Sequence, residues 1–136
     1  GQILVTRRAL EKKTWPGVWT NSFCGHPGPG EDFIDAIHRR AEQELGLKLS
    51  SVKSALPDFR YRAVDASGIV ENEICPVYIA IVDDEPEPNP SEVAEYAWAD
   101  PSGLLAAVEK SAFAFSPWLT LQLPRLAVAG YLSPAG

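Results

Sequence analysis

One helical segment constrains the fold of this chain more than any other stretch. Residues 31–45 place apolar side chains at spacings of three and four, which predicts a single apolar stripe along a helix. The stripe consists of Phe33, Ile34, Ile37, Ala41 and Leu45. Gly46 stands where a glycine commonly ends a helix, and the glycines and prolines of residues 25–30 exclude regular structure before it. We therefore expect a bounded helix that covers a sheet.

Strand-like segments flank this helix on both sides. They are residues 2–7, 18–23, 47–52, 58–64, 69–82 and 93–99, and two later helices are predicted at 101–110 and 116–130. No repeat divides the 136 residues, a length that suits one domain. The sequence predicts a single α/β (α+β) domain over residues 1–136, with a mixed β-sheet flanked by helices. Because a natural chain begins with Met and this sequence begins with Gly1, we also expect an N-terminal segment before it.

Composition narrows the classes of partner. The net charge of −6 and the pI near 4.8 disfavour non-specific binding to nucleic acid. The sequence has no run of about 18 apolar residues that would span a membrane. Cys24 and Cys75 suit reduced thiols in the cytoplasm better than a disulfide. An anionic substrate would need local basic residues or metal ions to hold it on this acidic protein.

The segment TNSFCGHP, residues 20–27, combines a cysteine with a histidine. Cys24 and His26 lie two residues apart, so their side chains would share one side of an extended segment. The pair admits three interpretations: a metal site, a nucleophile with its base, or a buried cysteine before a turn. Glu71 and Glu73 are also two apart on a predicted strand, so they would share one face. Because the surrounding run is apolar, a purely solvated role suits these glutamates poorly.

Arg40 and Glu44 are four residues apart on the predicted helix and project from the same side. A carboxylate low on a helix, beside a glycine-rich loop, can hold a divalent cation that in turn holds a diphosphate. The alternative is a surface helix with solvated charges, and composition alone favours that alternative.

The spacing around this helix resembles the Nudix box. That box reads Gly, five residues, Glu, seven residues, Arg-Glu, an aliphatic residue, one residue, Glu-Glu, one residue, Gly and an aliphatic residue. The matching positions are Gly25, Glu31, Arg39, Glu44, Gly46 and Leu47. Ala41 fills an aliphatic position poorly, and Arg40 and Gln43 replace two glutamates. Nudix hydrolases use those glutamates to bind the cations that activate water, so their loss disfavours hydrolysis, whereas Arg40 would attract a diphosphate.

Longer motifs resemble a narrower family, the type 1 isopentenyl diphosphate isomerases. They are VTRRALEKKTWPGVWTNSFCGHP, FRYRA, SGIVENEICPVY and AFSPW, in this order, and they cover the chain from about residue 1 to about residue 122. The resemblance implies conversion of isopentenyl diphosphate to dimethylallyl diphosphate. An acid protonates the terminal alkene carbon, a tertiary carbocation forms, and a base takes a proton from the neighbouring methylene.

The resemblance also implies roles for individual residues. Cys24 and Glu73 would transfer the protons, and the sequence leaves open which is the acid and which the base. Tyr61, beside Glu73, would assist protonation. Trp118 would lie over the substrate, where its π face can stabilise the carbocation. The residues that would hold the diphosphate are Arg8, Lys12 and Arg40.

The metal ligands implied by the resemblance form two groups. Glu44 would bind a Mg²⁺ ion that bridges to the diphosphate. His26, Glu71 and Glu73 would bind a second divalent cation, Mn²⁺ or Zn²⁺. The family completes that octahedral site with two histidines from a segment that would precede this chain. His38 lies on the predicted helix, where we expect it to face solvent, so it does not replace them.

Three functions remain open at this point. The first is the isomerase. The alternative is a Nudix-type diphosphate hydrolase, which would release phosphate and tolerate Cys24→Ala. The third is a diphosphate-binding module without turnover. For the isomerase we expect a small allylic or homoallylic diphosphate as the partner, no nucleic acid or membrane, and a monomer or weak homodimer.

Overall fold

The computed structural model describes residues 1–24 and 26–132. Its elements are β1 (Ile3–Arg8), β2 (Trp19–Thr20), α1 (Phe33–Leu45), β3 (Ser50–Leu56), β4 (Arg60–Val64), β5 (Val70–Ile74), β6 (Val77–Ile81), β7 (Val93–Ala99), α2 (Pro101–Lys110), a 3₁₀ turn (Ala112–Ala114) and α3 (Pro117–Val128). The predicted α+β class with flanking helices is confirmed. Gly25, which the Nudix spacing singled out, lies outside the described residues. None of the described helices is long and apolar enough to cross a membrane.

The strands pair antiparallel in separate ladders. β1 lies between β2 and β7, β3 pairs with β6, and β4 pairs with β5. A parallel bridge between Trp19 and Phe115 joins β2 to the segment that leads into α3. This bridge brings the start of α3 close to the segment that carries Cys24.

Three predicted strands differ in the structure, and the first is the run 47–52, which is replaced by β3 at Ser50–Leu56. The run 69–82 forms two strands with different partners, because Pro76 has no N–H to continue a ladder between β5 and β6. The run 18–23 forms a ladder with β1 at Trp19 and Thr20, and the backbone N–H of Arg8 also donates to the carbonyl of Val18 at 2.8 Å. Beyond Thr20 the hydroxyl of Thr6 donates to the backbone carbonyls of residues 21 and 22, at 2.9 and 3.2 Å. A side chain of β1 therefore replaces the backbone ladder and leaves residues 21–24 free to form a loop.

Helix α1 ends at Leu45 as the sequence predicts and begins at Phe33, two residues later than predicted. The side chain of Asp32 accepts a hydrogen bond from the backbone N–H of Asp35 at 2.8 Å, which satisfies one of the free donors of the first turn. Gly46 follows the helix with φ of 60°, a left-handed conformation that glycine adopts at little cost. Its N–H donates to the carbonyl of Glu42 at 2.9 Å.

The buried face of α1 differs in part from the predicted stripe. The buried residues are Ala36, Ile37, Ala41, Glu44 and Leu45. Phe33 and Ile34, the first members of the stripe, are only partly covered, at 38% and 39% exposed, and the ring of Phe33 stacks on that of Tyr78 at 6.4 Å. The spacing of apolar residues fixes the direction of the helix face but not how completely each turn of it is covered. Glu44 is a buried acid, which places its charge inside the fold.

The main core lies between β4, α2 and α3. Its buried residues are Val5, Leu56, Phe59, Tyr61, Leu104, Val108, Trp118, Leu119, Leu123 and Leu126. Fully burying a large apolar side chain contributes about 2 kcal/mol. Tyr61 and Trp118 belong to this close-packed cluster, so their rings are held in place by core packing.

Candidate functional site

A cavity of about 180 Å³ opens between the ends of β1, α1, β4, β5 and α3. The residues that line it include Arg8, Lys12, Cys24, His26, Arg40, Glu44, Tyr61, Glu71, Glu73 and Trp118. These are all the side chains to which the sequence analysis gives a role. The fold therefore brings them to one place, although they come from segments far apart in the chain. His38, by contrast, is exposed on α1 as expected.

The loop that carries Cys24 is tied to β1. The hydroxyl of Ser22 donates to the carbonyl of Leu4 at 2.6 Å, and that of Thr6 donates to the carbonyl of Asn21 at 2.9 Å. These bonds aim the thiol of Cys24 into the cavity. Both cysteines of the chain are free thiols, in agreement with the sequence analysis.

The environment of Cys24 keeps its thiol protonated. A hydrogen bond with the neighbouring thiol of Cys75, together with burial, raises the pKa of Cys24 well above its usual value. Asn21 acts in the opposite direction, and its side-chain nitrogen lies 3.7 Å from the sulfur. A neutral thiol carries a proton that it can donate, and it lacks the thiolate that a nucleophile requires.

Tyr61 and Glu71 form the second group. The hydroxyl of Tyr61 donates to one oxygen of Glu71 at 3.0 Å, and the hydroxyl of Thr14 donates to the other at 2.9 Å. Burial raises the pKa of Tyr61 far above its usual value, and the charges of Glu71 and Glu73 raise it further. The phenol therefore stays protonated. In the β4–β5 ladder Tyr61 stands opposite Glu73, but its hydroxyl reaches Glu71.

Glu71 and Glu73 share the inner face of β5, as the sequence predicts, because exposed and half-buried residues alternate along it. The Nε2 atom of His26 lies 3.5 Å from a carboxylate oxygen of Glu73. The two groups fit a divalent cation as a pair of donors. Glu71 has both oxygens engaged by hydroxyl donors instead. Among residues 1–24 and 26–132, no group of three or more histidine, cysteine, aspartate and glutamate side chains is arranged to hold a metal ion.

Two acidic and two basic side chains neutralise one another's charges beside α1. Arg40 donates from Nε to Glu44 at 3.2 Å and lies 3.9 Å from a carboxylate oxygen of Glu92. Lys12 forms an ion pair with the same oxygen of Glu92. Burial raises the pKa of Glu44, against the lowering effect of Arg40. Lys12 and Arg40, predicted to hold a diphosphate, thus already face carboxylates.

Glu92 is a residue that the sequence analysis missed. It precedes β7 and lies 80 positions from Lys12 in the sequence, and no local spacing connects it to the helix. Only the antiparallel pairing of β1 with β7 brings it to this cavity.

Arg8 and Trp118 form a cation–π pair. The guanidinium carbon of Arg8 lies 5.3 Å from the centre of the Trp118 ring, and its nitrogens donate to the carbonyl of Thr14 at 3.1 and 2.9 Å. The ring of Tyr61 lies 5.6 Å from that of Trp118, and Trp15 meets it edge-on at 5.5 Å. This aromatic wall excludes water from one side of the cavity.

Asn21 is the second residue that the sequence analysis missed. The indole N–H of Trp118 donates to its side-chain oxygen at 3.0 Å, across 97 positions of sequence. Its place within the TNSF motif was the only sequence signal, and that signal did not distinguish it from its neighbours.

Glu31 and Arg39, two matches to the Nudix spacing, act as a brace. Arg39 donates to both oxygens of Glu31 at 2.9 and 2.8 Å, and the backbone N–H of Gly28 donates to Glu31 at 2.9 Å. The guanidinium of Arg39 lowers the pKa of Glu31 to about 2. The brace fixes the loop after His26 onto α1.

Comparison with known proteins identifies the family of this chain. A model described as NUDIX domain matches residues 1–119. An isopentenyl-diphosphate Delta-isomerase of Clavibacter sepedonicus is 67% identical over 126 residues, which cover 93% of this chain and 66% of that protein. An isopentenyl-diphosphate Delta-isomerase of Paenarthrobacter aurescens (strain TC1) is 60% identical and covers 97% of this chain and 72% of that protein. The chain thus spans just under two thirds of the length of the Clavibacter relative.

Solved structures support the same fold. DR0079 from Deinococcus radiodurans superposes with a TM-score of 0.73 at 24% identity, over 93% of this chain and 75% of that one. The MutT protein from Methanosarcina mazei Go1 gives a TM-score of 0.70 at 17% identity, over 94% and 84%. At these identities the likeness concerns the fold alone. The family and the relatives together are consistent with dependence on a divalent metal.

Proposed function

The chain belongs to the NUDIX domain family and, within it, to the isopentenyl-diphosphate Delta-isomerases, and we propose that it converts isopentenyl diphosphate to dimethylallyl diphosphate. The observation that carries this proposal is the meeting of a thiol, a carboxylate and an indole ring in one small cavity. Cys24, Glu73 and Trp118 all line it. Moving a double bond through a carbocation requires a proton donor, a proton acceptor and a face that tolerates positive charge.

We assign Cys24 and Glu73 to the two proton transfers. One adds a proton to the terminal carbon of the alkene, and the other removes a proton from the adjacent methylene, so the protein ends the reaction with its proton count unchanged. The protonated phenol of Tyr61 donates to Glu71. This bond keeps the Glu71 carboxylate in place beside Glu73, on the same face of β5. General acid–base catalysis of this kind contributes about 10²- to 10⁴-fold to a rate.

The aromatic wall protects the cation between these two transfers. Water that reached a tertiary carbocation would trap it as an alcohol. Trp118 is only 3% exposed, and its ring is packed against Tyr61 and Trp15. A desolvated aromatic face stabilises a cation by about 2 kcal/mol.

The diphosphate is assigned to the charged side of the cavity. The charges of Lys12 and Arg40 are compensated by Glu44 and Glu92. A diphosphate would therefore meet no excess positive charge from these four groups. This balance supports a requirement for Mg²⁺, with Glu44 as its protein ligand, and leaves Arg8 as a further cation of the cavity.

A second divalent cation, Mn²⁺ or Zn²⁺, is assigned to His26 and Glu73, with Glu71 as a third ligand. Bound there, it would supply positive charge beside Glu73 and orient that carboxylate. Two of the three donors already lie within 3.5 Å of each other. Each oxygen of Glu71 accepts one hydroxyl donor and keeps a further lone pair with which it could join them.

The remaining parts of the proposal concern the setting. Residues 1–136 form one domain of the enzyme, which acts as a monomer or weak homodimer without nucleic acid or membrane partners. The free thiols of Cys24 and Cys75 suit the reducing cytoplasm.

Incubation of isopentenyl diphosphate in deuterated water tests the reaction directly. The samples contain Mg²⁺, with and without Mn²⁺ or Zn²⁺, and NMR follows the products. Deuterated dimethylallyl diphosphate is the expected product, and exhaustive chelation should suppress it. Release of inorganic phosphate would instead identify a Nudix-type hydrolase. The sequence disfavours that function, because Arg40 and Gln43 replace two glutamates of the Nudix box. Binding without any product would indicate a diphosphate-binding module.

A further inference from the structure

The carboxamide of Asn21 makes a dense set of hydrogen bonds at the inner end of the cavity. Its oxygen accepts from the indole N–H of Trp118 at 3.0 Å and from the hydroxyl of Thr20 at 2.8 Å. Its nitrogen donates to the carbonyl of Phe23 at 2.8 Å. An indole N–H can only donate and a carbonyl can only accept, so these partners fix which end of the carboxamide is oxygen and which is nitrogen.

The same carboxamide also contacts the thiol. Its nitrogen lies 3.7 Å and its oxygen 3.8 Å from the sulfur of Cys24. Within residues 1–24 and 26–132, no other side chain is hydrogen-bonded to both Cys24 and Trp118. One side chain therefore spans the gap between the group assigned to proton transfer and the ring assigned to the carbocation.

The carboxamide is itself held rigidly. The hydroxyls of Thr20 and Ser116 lie 2.7 Å apart, and the backbone N–H of Leu119 donates to Ser116 at 3.3 Å in the first turn of α3. Since the Thr20 hydroxyl donates to Asn21, it accepts from Ser116. The backbone N–H of Ser116 donates in turn to the carbonyl of Trp19 at 2.8 Å. Strand β2 and the start of α3 are thereby joined directly beside Asn21.

We propose that Asn21 is a positioning residue that sets the thiol of Cys24 against the ring of Trp118 during isomerisation. This inference rests on the proposed function. The two groups act on carbons of the same small substrate, so an error of about 1 Å in their separation costs about 100-fold in rate. Of asparagine, aspartate and leucine, only asparagine can both accept from the indole of Trp118 and donate to the carbonyl of Phe23. An aspartate can accept from Trp118 but cannot donate to the Phe23 carbonyl, and a leucine of similar volume can do neither.

The test compares Asn21→Leu and Asn21→Asp with Asn72→Leu, the same change on the exposed face of β5. We expect Asn21→Leu to lower kcat about 100-fold with KM within about threefold, because the diphosphate contacts are untouched. Asn21→Asp should lower kcat less, by about tenfold, since one contact remains. Asn72→Leu should match the wild type.

A substrate-free readout separates positioning from a general structural role. The indole N–H resonance of Trp118, assigned with Trp118→Phe, should move upfield in Asn21→Leu and stay near its wild-type position in Asn21→Asp, which keeps the acceptor. The kcat losses of Asn21→Leu and Trp118→Phe should also fail to multiply in the double variant.

Several results would overturn the inference: unchanged kcat in Asn21→Leu, an equal rise in KM, or losses that multiply fully in the double variant. If Asn21→Leu does not fold, Asn21→Asp decides, and wild-type kcat in that variant contradicts the proposal. A wild-type protein that binds isopentenyl diphosphate without turnover would remove the proposed function instead. The resonance shifts would then still report whether Asn21 holds the Trp118 ring.

Discussion

At the end of the cavity near α1, four charged side chains compensate one another in pairs, whereas at the end near α3 the carboxamide of Asn21 joins the neutral thiol of Cys24 to the neutral indole of Trp118. We call these the charged end (Lys12, Arg40, Glu44 and Glu92) and the aromatic end (Cys24, Tyr61, Trp118 and Asn21). Charged pairs tolerate rearrangement when a new ion arrives, because each partner can exchange one counter-ion for another. Neutral hydrogen bonds in a packed wall have no such exchange available, so they keep one geometry.

This difference suits the two halves of the proposed substrate. A diphosphate with its cation brings charge that the protein must accommodate on binding. A carbocation exists only during the reaction, so the groups around it must be in position beforehand. Changes at the aromatic end should therefore affect kcat most, and changes at the charged end should affect KM.

Cys24→Ala should show the largest effect. We expect a loss of kcat of at least about 10³-fold, since the variant removes a proton-transfer group altogether. The melting temperature should stay close to that of the wild type. The matched control is Cys75→Ala, which removes a neighbouring thiol and should lose less than about tenfold. Near-normal turnover by Cys24→Ala would refute the contrast between the two ends.

Glu73→Gln should have the second largest effect, with kcat lowered about 100-fold. The amide keeps the shape of the side chain but neither accepts a proton nor binds a cation well. The measurement is steady-state turnover at saturating metal. Glu95→Gln, an exposed glutamate paired with Arg7, serves as the control. Full activity of Glu73→Gln would remove this residue from the proton path.

Trp118→Phe should lower kcat about tenfold, which corresponds to roughly 1.4 kcal/mol of lost stabilisation of the cation. Phenylalanine has a weaker π face and no N–H for Asn21. The comparison is with Trp98→Phe, since Trp98 donates to Glu85 away from this cavity. If both variants lose the same activity, the aromatic end has no special role in catalysis.

Glu92→Gln should favour the reaction, whereas the preceding variants impair it. It should change KM and leave kcat nearly unchanged. Removing this negative charge frees Lys12 and Arg40 for the diphosphate, so KM should fall about three- to fivefold with kcat nearly constant. The effect should shrink at high ionic strength. Glu42→Gln, an exposed position on α1, controls for net charge. An increase in KM would mean that Glu92 itself helps to bind the substrate or its cation.

The smallest effect concerns the brace between Glu31 and Arg39. The pKa of Glu31 is lowered from 4.5 to about 2, so its pairing adds stability above pH 4.5 that is lost as the pH falls towards 2. Glu31→Gln should therefore melt slightly below the wild type near neutral pH. Thermal melts across this pH range should show the two curves converging. A constant difference down to pH 2 would contradict the assigned pairing.

The parts of the fold that depend on neighbouring residues were predictable from the sequence. The start of α1 follows from apolar spacing to within two residues, and its end follows from Gly46. The division of the run 69–82 at Pro76 could also have been predicted, because proline lacks the donor that a ladder needs. The exposure of Phe33 was not predictable from spacing, since it depends on where the underlying surface ends.

The candidate site was predictable only as a set of residues. The resemblance named the side chains that line the cavity, because its motifs contain them. It did not indicate that Lys12 and Arg40 face Glu92, or that Asn21 joins Cys24 to Trp118. Those contacts depend on strand pairing and helix docking across 80 and 97 positions, which no local pattern encodes.

The hydrogen bond between Trp118 and Asn21 has a consequence for biosynthesis. A ribosome delivers the thiol, the helix and the paired glutamates long before residue 118 emerges. Until α3 docks, the nascent chain holds the groups proposed to transfer protons in a cleft that is open on one side to water. Closing that cleft requires a contact between distant parts of the chain, a step that loop entropy makes slow. Catalytic competence should therefore appear only with the last stage of folding.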